Sequence, residues 1–254
     1  MDILILIKQV PDTETTIKVS GGNIADTGIK WIISPYDEVA LEEGMRIKEK
    51  NGGTVTVISL GPERVTTALR TAYAMGADNA IHIKTDEYDV LDALTTAQAI
   101  HKATEEKKFD IILAGRQGID SDNGQVPLIF AVKKDIAAII WANKIEVSGN
   151  SVSVTSEVEG GEATYEAALP AVITTQIGMN EPRYPSLKGI MVSKKKPIET
   201  IALSDLGINV GENLDVTGYE LPPQRPTGHI LEGDDTAQKA GALLKALRED
   251  VKVI

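Results

Sequence analysis

The sequence predicts an α/β fold: a parallel sheet with helices on both faces, followed by antiparallel hairpins and an extended C-terminal arm. Three observations carry this expectation. Ile3 to Ile7 is an unbroken apolar run, the pattern of a central strand covered on both faces. From there to Trp141, strand-like and helix-like stretches alternate, which implies βα units wound into one sheet. Beyond Trp141 the hydrophobic period switches to two, the mark of antiparallel hairpins with one wet face.

Taken in order, Met1 to Ile7 lacks the basic flank and small-residue cleavage site of a signal peptide, so it reads as a buried first strand. Lys8 to Thr13 leaves it as a polar loop, and Ile17 to Ile24, with Ser20-Gly21-Gly22 as the turn, reads as a small hairpin. Ser34-Pro35-Tyr36-Asp37 opens a helix, with Ser34 as cap, Pro35 at its first position and Asp37 completing a capping-box-like spacing. Tyr36, Val39, Ala40, Gly44 and Ile47 then share one side. A strand over 54–59, a helix over 63–75, a short strand over 80–83, a helix from about Leu91 to Ala103 and a strand over 110–114 follow.

After Trp141 come strands over 145–147, 152–158 and 163–168, joined by turns at Ser148-Gly149-Asn150 and Gly160-Gly161, and an apolar strand over 170–175. Residues 1–205 are expected to form the α/β domain with its hairpins, and 206–254 an arm and helix lying on a partner. Leu206 to Gly233 is stiffened by Pro222-Pro223, and Thr236 to Glu249 places Ala240, Leu243, Leu244 and Leu247 on one stripe.

Composition narrows the function. A net charge of −11 argues against binding nucleic acid or an anionic membrane surface. With no cysteine, disulfides and thiolate chemistry are excluded and a reducing, cytoplasmic setting is expected. No apolar run approaches the ~20 residues of a membrane helix, so no membrane insertion is expected. His82, His101 and His229 lack metal-ligand spacing, and Glu157, Glu159 and Glu162 alternate across a hairpin, so no metal site is expected. Known nucleophile, Walker A and GxGxxG patterns are missing, which leaves no catalytic residue to nominate.

One stretch invites a ligand: Gly115-Arg116-Gln117-Gly118-Ile119-Asp120-Ser121-Asp122-Asn123-Gly124-Gln125-Val126, between a strand and a helix. Open α/β sheets bind ligands outside the carboxyl ends of their strands. The glycines allow close backbone approach, while Gln117, Asn123 and Gln125 offer hydrogen bonds to a base, ribose or phosphate. On the residues alone, a polar connection that only caps the next helix accounts for the stretch equally well. A nucleotide here would also meet Leu6, Ser34, Pro35, Tyr36, Asp37 and Leu60, with Asp120 and Asp122 shaping the loop or meeting the ribose rather than a phosphate. Tyr184-Pro185-Ser186-Leu187 through Ile190 and Met191 reads as a short protruding turn with more apolar surface than an exposed loop needs. Lys194, Lys195 and Lys196 follow as a basic rim that could steer an acidic partner.

Several pieces together resemble the small (beta) subunit of electron-transfer flavoproteins over essentially the full chain. They are Lys8-Gln9-Val10-Pro11-Asp12, Ser34-Pro35-Tyr36-Asp37-Glu38, Ala72-Tyr73-Ala74-Met75-Gly76-Ala77-Asp78, the loop 115–126, Ala168 to Thr174, Asn180-Glu181-Pro182-Arg183-Tyr184 and Pro222-Pro223-Gln224-Arg225. The chain departs from the family signature at Ser156, where a basic residue is usual, and at Ala163, where Glu or Gln is usual. The resemblance implies an adenine-nucleotide-binding, alpha-hydrolase-like fold and a heterodimer with a larger alpha subunit carrying most of the redox FAD. It implies an electron carrier rather than a catalyst on its own. In the shuttle version this subunit holds a structural AMP, Thr13 and Tyr36 reach the shared FAD, and Leu187 anchors a flavin-dependent dehydrogenase such as an acyl-CoA dehydrogenase. In the bifurcating version the same site holds a second FAD that accepts a hydride from NADH. Asn123-Gly124-Gln125-Val126 lies between the two patterns, and Glu181 to Tyr184 sides with the shuttle, so AMP is preferred. A free-standing adenine-nucleotide sensor is the reading from another class, and it would not need the arm.

Overall fold

The computed structural model describes residues 1–25, 27–85, 91–210, 214–225 and 227–254. Elements in its first half are β1 (Asp2–Leu6), β2 (Gln9–Pro11), β3 (Val19–Ser20), β4 (Asn23–Ile24), β5 (Trp31–Ile33), α1 (Pro35–Asn51), β6 (Thr54–Gly61), α2 (Thr66–Met75), β7 (Asn79–Lys84) and α3 (Ala93–Ala103). Then come β8 (Ile111–Gly115), α4 (Val126–Lys134), β9 (Ala137–Ser148), β10 (Ser151–Val158), β11 (Gly161–Ala168), β12 (Ala171–Thr175), α5 (Leu187–Ser193), β13 (Glu199–Ala202) and α6 (Thr236–Lys245). They form two compact units, Met1–Ile17 with Ala25–Thr217, and Lys18–Ile24 with Gly218–Ile254.

In the first unit a nine-stranded sheet runs β11-β10-β9-β12-β8-β1-β6-β7-β13. From β1 the chain steps outward through β6 and β7, then crosses back over β1 to β8 and on to β12, all parallel. The order therefore reverses between β1 and β8, which is where open α/β sheets open a crevice. Period two along β1 feeds both faces: Ile3, Ile5 and Ile7 pack with Ala40 and Leu41 of α1 and Leu69 of α2, while Leu4 and Leu6 pack with Ile100 of α3 and Phe130 of α4. Each such side chain contributes roughly 1.5–3 kcal/mol on burial, so this strand is the keel of the fold.

The hairpins β9-β10-β11 extend the sheet antiparallel, with Val152, Val154 and Ser156 inward and Glu157 opposite Glu162 near the exposed tip. Three features differ from the sequence expectation. β9 starts at Ala137, well before Trp141, and pairs parallel with β12. Glu199–Ala202 adds a parallel edge strand beside β7, in a stretch where the sequence pattern marks no element. The expected protruding turn is instead the start of α5, capped by the Ser186 hydroxyl accepting from Gly189 N at 2.9 Å. A Cβ on Gly189 would collide with the Ala74 carbonyl, so a side chain there would push α5 off the end of α2.

In the second unit, β3 and β4 form the expected hairpin, and Tyr219 N donates to Gly22 O at 2.8 Å. Asp235 caps α6 by accepting from Gln238 N at 2.8 Å, and the helix continues as a wider turn over Ala246–Val251. Leu243 and Leu244 remain about half exposed. Among the described residues no helix is long and apolar enough to cross a membrane, and no acidic or histidine cluster could hold a metal ion.

Candidate functional site

The switch point is organised by one carboxylate. Asp37, in the first turn of α1, is buried; its Oδ2 accepts from Lys8 N at 2.7 Å and its Oδ1 from Gly115 N at 2.9 Å, tying together the ends of β1 and β8. This corrects the capping-box reading. Ser34 does flank the helix and Pro35 does lie in its first turn, yet Ser34 makes no side-chain cap, because Asp37 turns to the sheet and the Ser34 carbonyl receives the Asp37 and Glu38 amides. Burial pushes the Asp37 carboxyl up to about 7, with the two amide donors working the other way. The Ser34 hydroxyl is fully buried and has no partner within the described residues, an exception to the pairing that buried polar groups ordinarily find.

Gly115 is required by close approach. A Cβ there would lie 2.6 Å from Tyr36 Cβ and 2.7 Å from Asp37 N and would run into the Asp37 carboxylate. Thr175 at the end of β12 donates to the Tyr36 and Ala114 carbonyls at 3.2 and 3.3 Å, and Arg116 N donates to Thr175 O. Three strand ends and the start of α1 are thus one hydrogen-bonded assembly, lined by the buried Leu6 and the half-buried Leu60.

The loop then arches over this floor. Lys8 Nζ pairs with Asp120 at 2.7 Å and reaches Ser121 Oγ at 3.4 Å, while Gln117 Nε2 donates to Asp122 Oδ1 at 2.8 Å. These pairs leave Asp120 and Asp122 engaged in shaping the loop. Asp122 and Gly124 both have left-handed φ, 50° and 60°, and a Cβ on Gly124 would come within 3.1 Å of Arg116 O. Gly118, Ile119 and Asn123 complete the arch, and Gln125 leads into α4 at Val126, whose first-turn amides face the loop end. Thr13 is exposed in the turn after β2.

Sequence reasoning missed the neighbour of this loop. A crevice of about 210 Å³ opens beside it, walled by Arg116, Gln117, Gly124, Leu128, Trp141 and Thr174 among others. Trp141 holds a φ of 60°, its N–H donates to Thr174 Oγ1 at 3.0 Å, and the Arg116 guanidinium stacks 4.4 Å from its ring. A larger depression of about 460 Å³, bordered by His101, Lys102 and Lys133, lies apart from the loop and touches none of the predicted site residues.

The predicted partner-binding segment stands out from the first unit. Tyr184 is 94% exposed, Leu187 84% and Met191 72%; Ile190 is 41% exposed and Pro185 half-buried. Its base is anchored. Arg183 Nε meets Glu42 at 2.8 Å and its Nη1 meets Glu49 at 2.6 Å, while Arg70 donates to the carbonyls of Ser193 and Lys196. Burial opposes ionisation of Glu42, but hydrogen bonds from Arg183 and Arg46 outweigh it and hold the carboxyl below its usual range. Lys194 and Lys195 point to solvent, whereas Lys196 Nζ donates to Ala77 O at 2.8 Å and lies over the Tyr73 ring.

Comparisons with known proteins agree on one family. The electron transfer flavoprotein domain model matches residues 21–206. An electron transfer flavoprotein subunit beta of Bacillus subtilis is 40% identical, with all of both chains covered. The subunit beta of Syntrophomonas wolfei is 38% identical over all of this chain and 98% of its own, and that of Homo sapiens 37% over 91% and 92%. The chain therefore belongs to the electron transfer flavoprotein family, among its beta subunits.

Proposed function

We propose that this chain is the nucleotide-holding half of a two-subunit electron carrier. It binds AMP at the β1/β8 switch point, docks a larger alpha subunit that carries the redox FAD, and presents α5 to a flavin-dependent dehydrogenase. The observation that carries the nucleotide is the cradle itself. Gly115 and Gly124 let the loop fold closely onto α1 and onto its own start, the Ser34 hydroxyl is buried without a partner, and the first-turn N–H groups of α4, Pro127 excepted, can meet an anion. These residues fit an adenine nucleotide: Ser34 and Gln117 offer polar contacts, and Lys8 balances the loop's acids.

FAD, when held by the partner, supplies the one- and two-electron chemistry. This chain's residues bind and orient, and Thr13 and Tyr36 would be the ones to meet the shared flavin. The second reading, a second FAD in the same site, is favoured by Val126, which resembles the bifurcating members of the family at that position. Gly124→Val tests the site. It imposes a β-branched residue at φ 60° and 3.1 Å from Arg116 O, so the purified protein should lose most of its nucleotide; the strain itself costs of order 1–3 kcal/mol, and circular dichroism checks that the variant is still folded. Full nucleotide content in this variant would move the ligand elsewhere.

A further inference from the structure

Beside the loop, Trp141 and Arg116 stack on one another at the mouth of the crevice. A tryptophan at φ 60° is a strained backbone state, of order 1–3 kcal/mol, that persists only where surrounding structure enforces it, and such states cluster at ligand sites. Here the enforcement is visible. The β9–β12 register shifts between Ile173 and Thr175, and the Trp141 N–H is taken by Thr174 Oγ1 rather than by the ladder. The result turns the indole toward the crevice, where it remains 40% exposed.

Arg116 covers part of the indole at 4.4 Å and reaches Gln176 Oε1 only at 3.4 Å. Its Nε is buried and has no hydrogen-bond partner among the described residues. A buried guanidinium donor without an acceptor is costly, and the acceptor it lacks is what a ligand edge supplies. At about 210 Å³ the crevice falls below the ~300–1,000 Å³ of pockets that enclose a drug-sized molecule. Its space suits one ring system rather than a whole nucleotide.

We propose that Trp141 and Arg116 form a ring seat: a planar heteroaromatic ring with an acceptor edge packs against the indole and accepts from Arg116 Nε. This rests on the nucleotide reading of the adjoining loop and deepens it. The seat extends the site from the β8 end toward β12 and β9. The shared chemistry is that of a nucleotide's ring, and adenine and isoalloxazine are its two sources.

The test uses the full chain stripped of endogenous nucleotide, with AMP and FAD as separate probes in equilibrium dialysis, comparing W141F and W141L with the parent. At least one probe should bind W141L about tenfold more weakly, the scale of losing one stacked base, while W141F keeps affinity within a few-fold. Melting temperatures of both variants identify any loss of fold. Loss for AMP assigns the seat to adenine, and loss for FAD alone assigns it to the flavin ring. Unchanged binding of every probe that binds the parent overturns the seat and leaves the nucleotide site standing. Failure of both probes to bind the parent overturns the nucleotide reading and the seat together.

Discussion

Asp37 Oδ1 lies 2.9 Å from the backbone nitrogen of Gly115, and this contact joins the start of α1 to the end of β8 across the reversal point of the sheet. The fit leaves no room for a Cβ on Gly115, with Tyr36 Cβ 2.6 Å from where it would stand. Gly115→Ala should therefore cost about 1–3 kcal/mol, in the range of other overpacked sites. Chemical denaturation measures this, and a neutral result would mean that α1 can move away freely.

The same carboxylate gives the protein a pH signature. Burial raises the Asp37 pKa from 3.8 to about 7, so between those values the folded chain holds a proton that the unfolded chain has released. Stability from this group is complete below pH 3.8 and is lost as pH rises through about 7. Asp37→Asn should flatten that part of the curve, while lowering stability overall because one backbone donor loses its acceptor. The melting temperature measured across this window, in parent and variant, checks the sign.

Arg183 anchors the exposed segment through Glu42 and Glu49. Removing one partner of a fully buried pair costs ~3–5 kcal/mol. Arg46 still pairs with Glu42 at 2.9 Å and the Arg183 side chain is one-third exposed, so Arg183→Ala should cost less, about 1–2 kcal/mol. Because the folded-state pKa of Glu42 is lowered, the stability it contributes is present at neutral pH and lost in acid. The deficit of the variant should accordingly shrink as pH falls below the ordinary glutamate range.

Leu187 has little to lose within its own fold. At 84% exposure, Leu187→Ala should leave melting temperature and bound nucleotide unchanged. If the segment docks a dehydrogenase, truncating a protruding leucine that fills a partner pocket should slow electron transfer by tenfold or more, from a loss of ~2 kcal/mol. Stopped-flow reduction of the two-subunit complex reads this out. Normal transfer kinetics would remove Leu187 from the docking surface.

What was legible in the sequence was whatever depends on local pattern. The Ile3 to Ile7 run, the β8-loop-α4 order and the hairpin turns at Gly149 and Gly160 each declare themselves within a dozen residues. The role of Asp37 did not, because its partners lie 29 and 78 positions away and the local spacing imitated a capping box. In the sequence Trp141 marks only a boundary of pattern, because its left-handed turn depends on Thr174, 33 positions on. Both β13 and α5 are short and sit among Pro, Gly and Lys, so their structure comes from pairing with β7 and packing on α2 rather than from propensity.

The proposal most open to test is a structural adenine mononucleotide in this chain, with the redox flavin belonging mainly to its partner. The most direct measurement is the absorption spectrum of the purified two-subunit complex, together with the nucleotides released on denaturation. One FAD and one AMP per heterodimer, and a colourless isolated chain, are the expected result of that proposal. Two FAD per heterodimer with no AMP, or a yellow isolated chain, would contradict it.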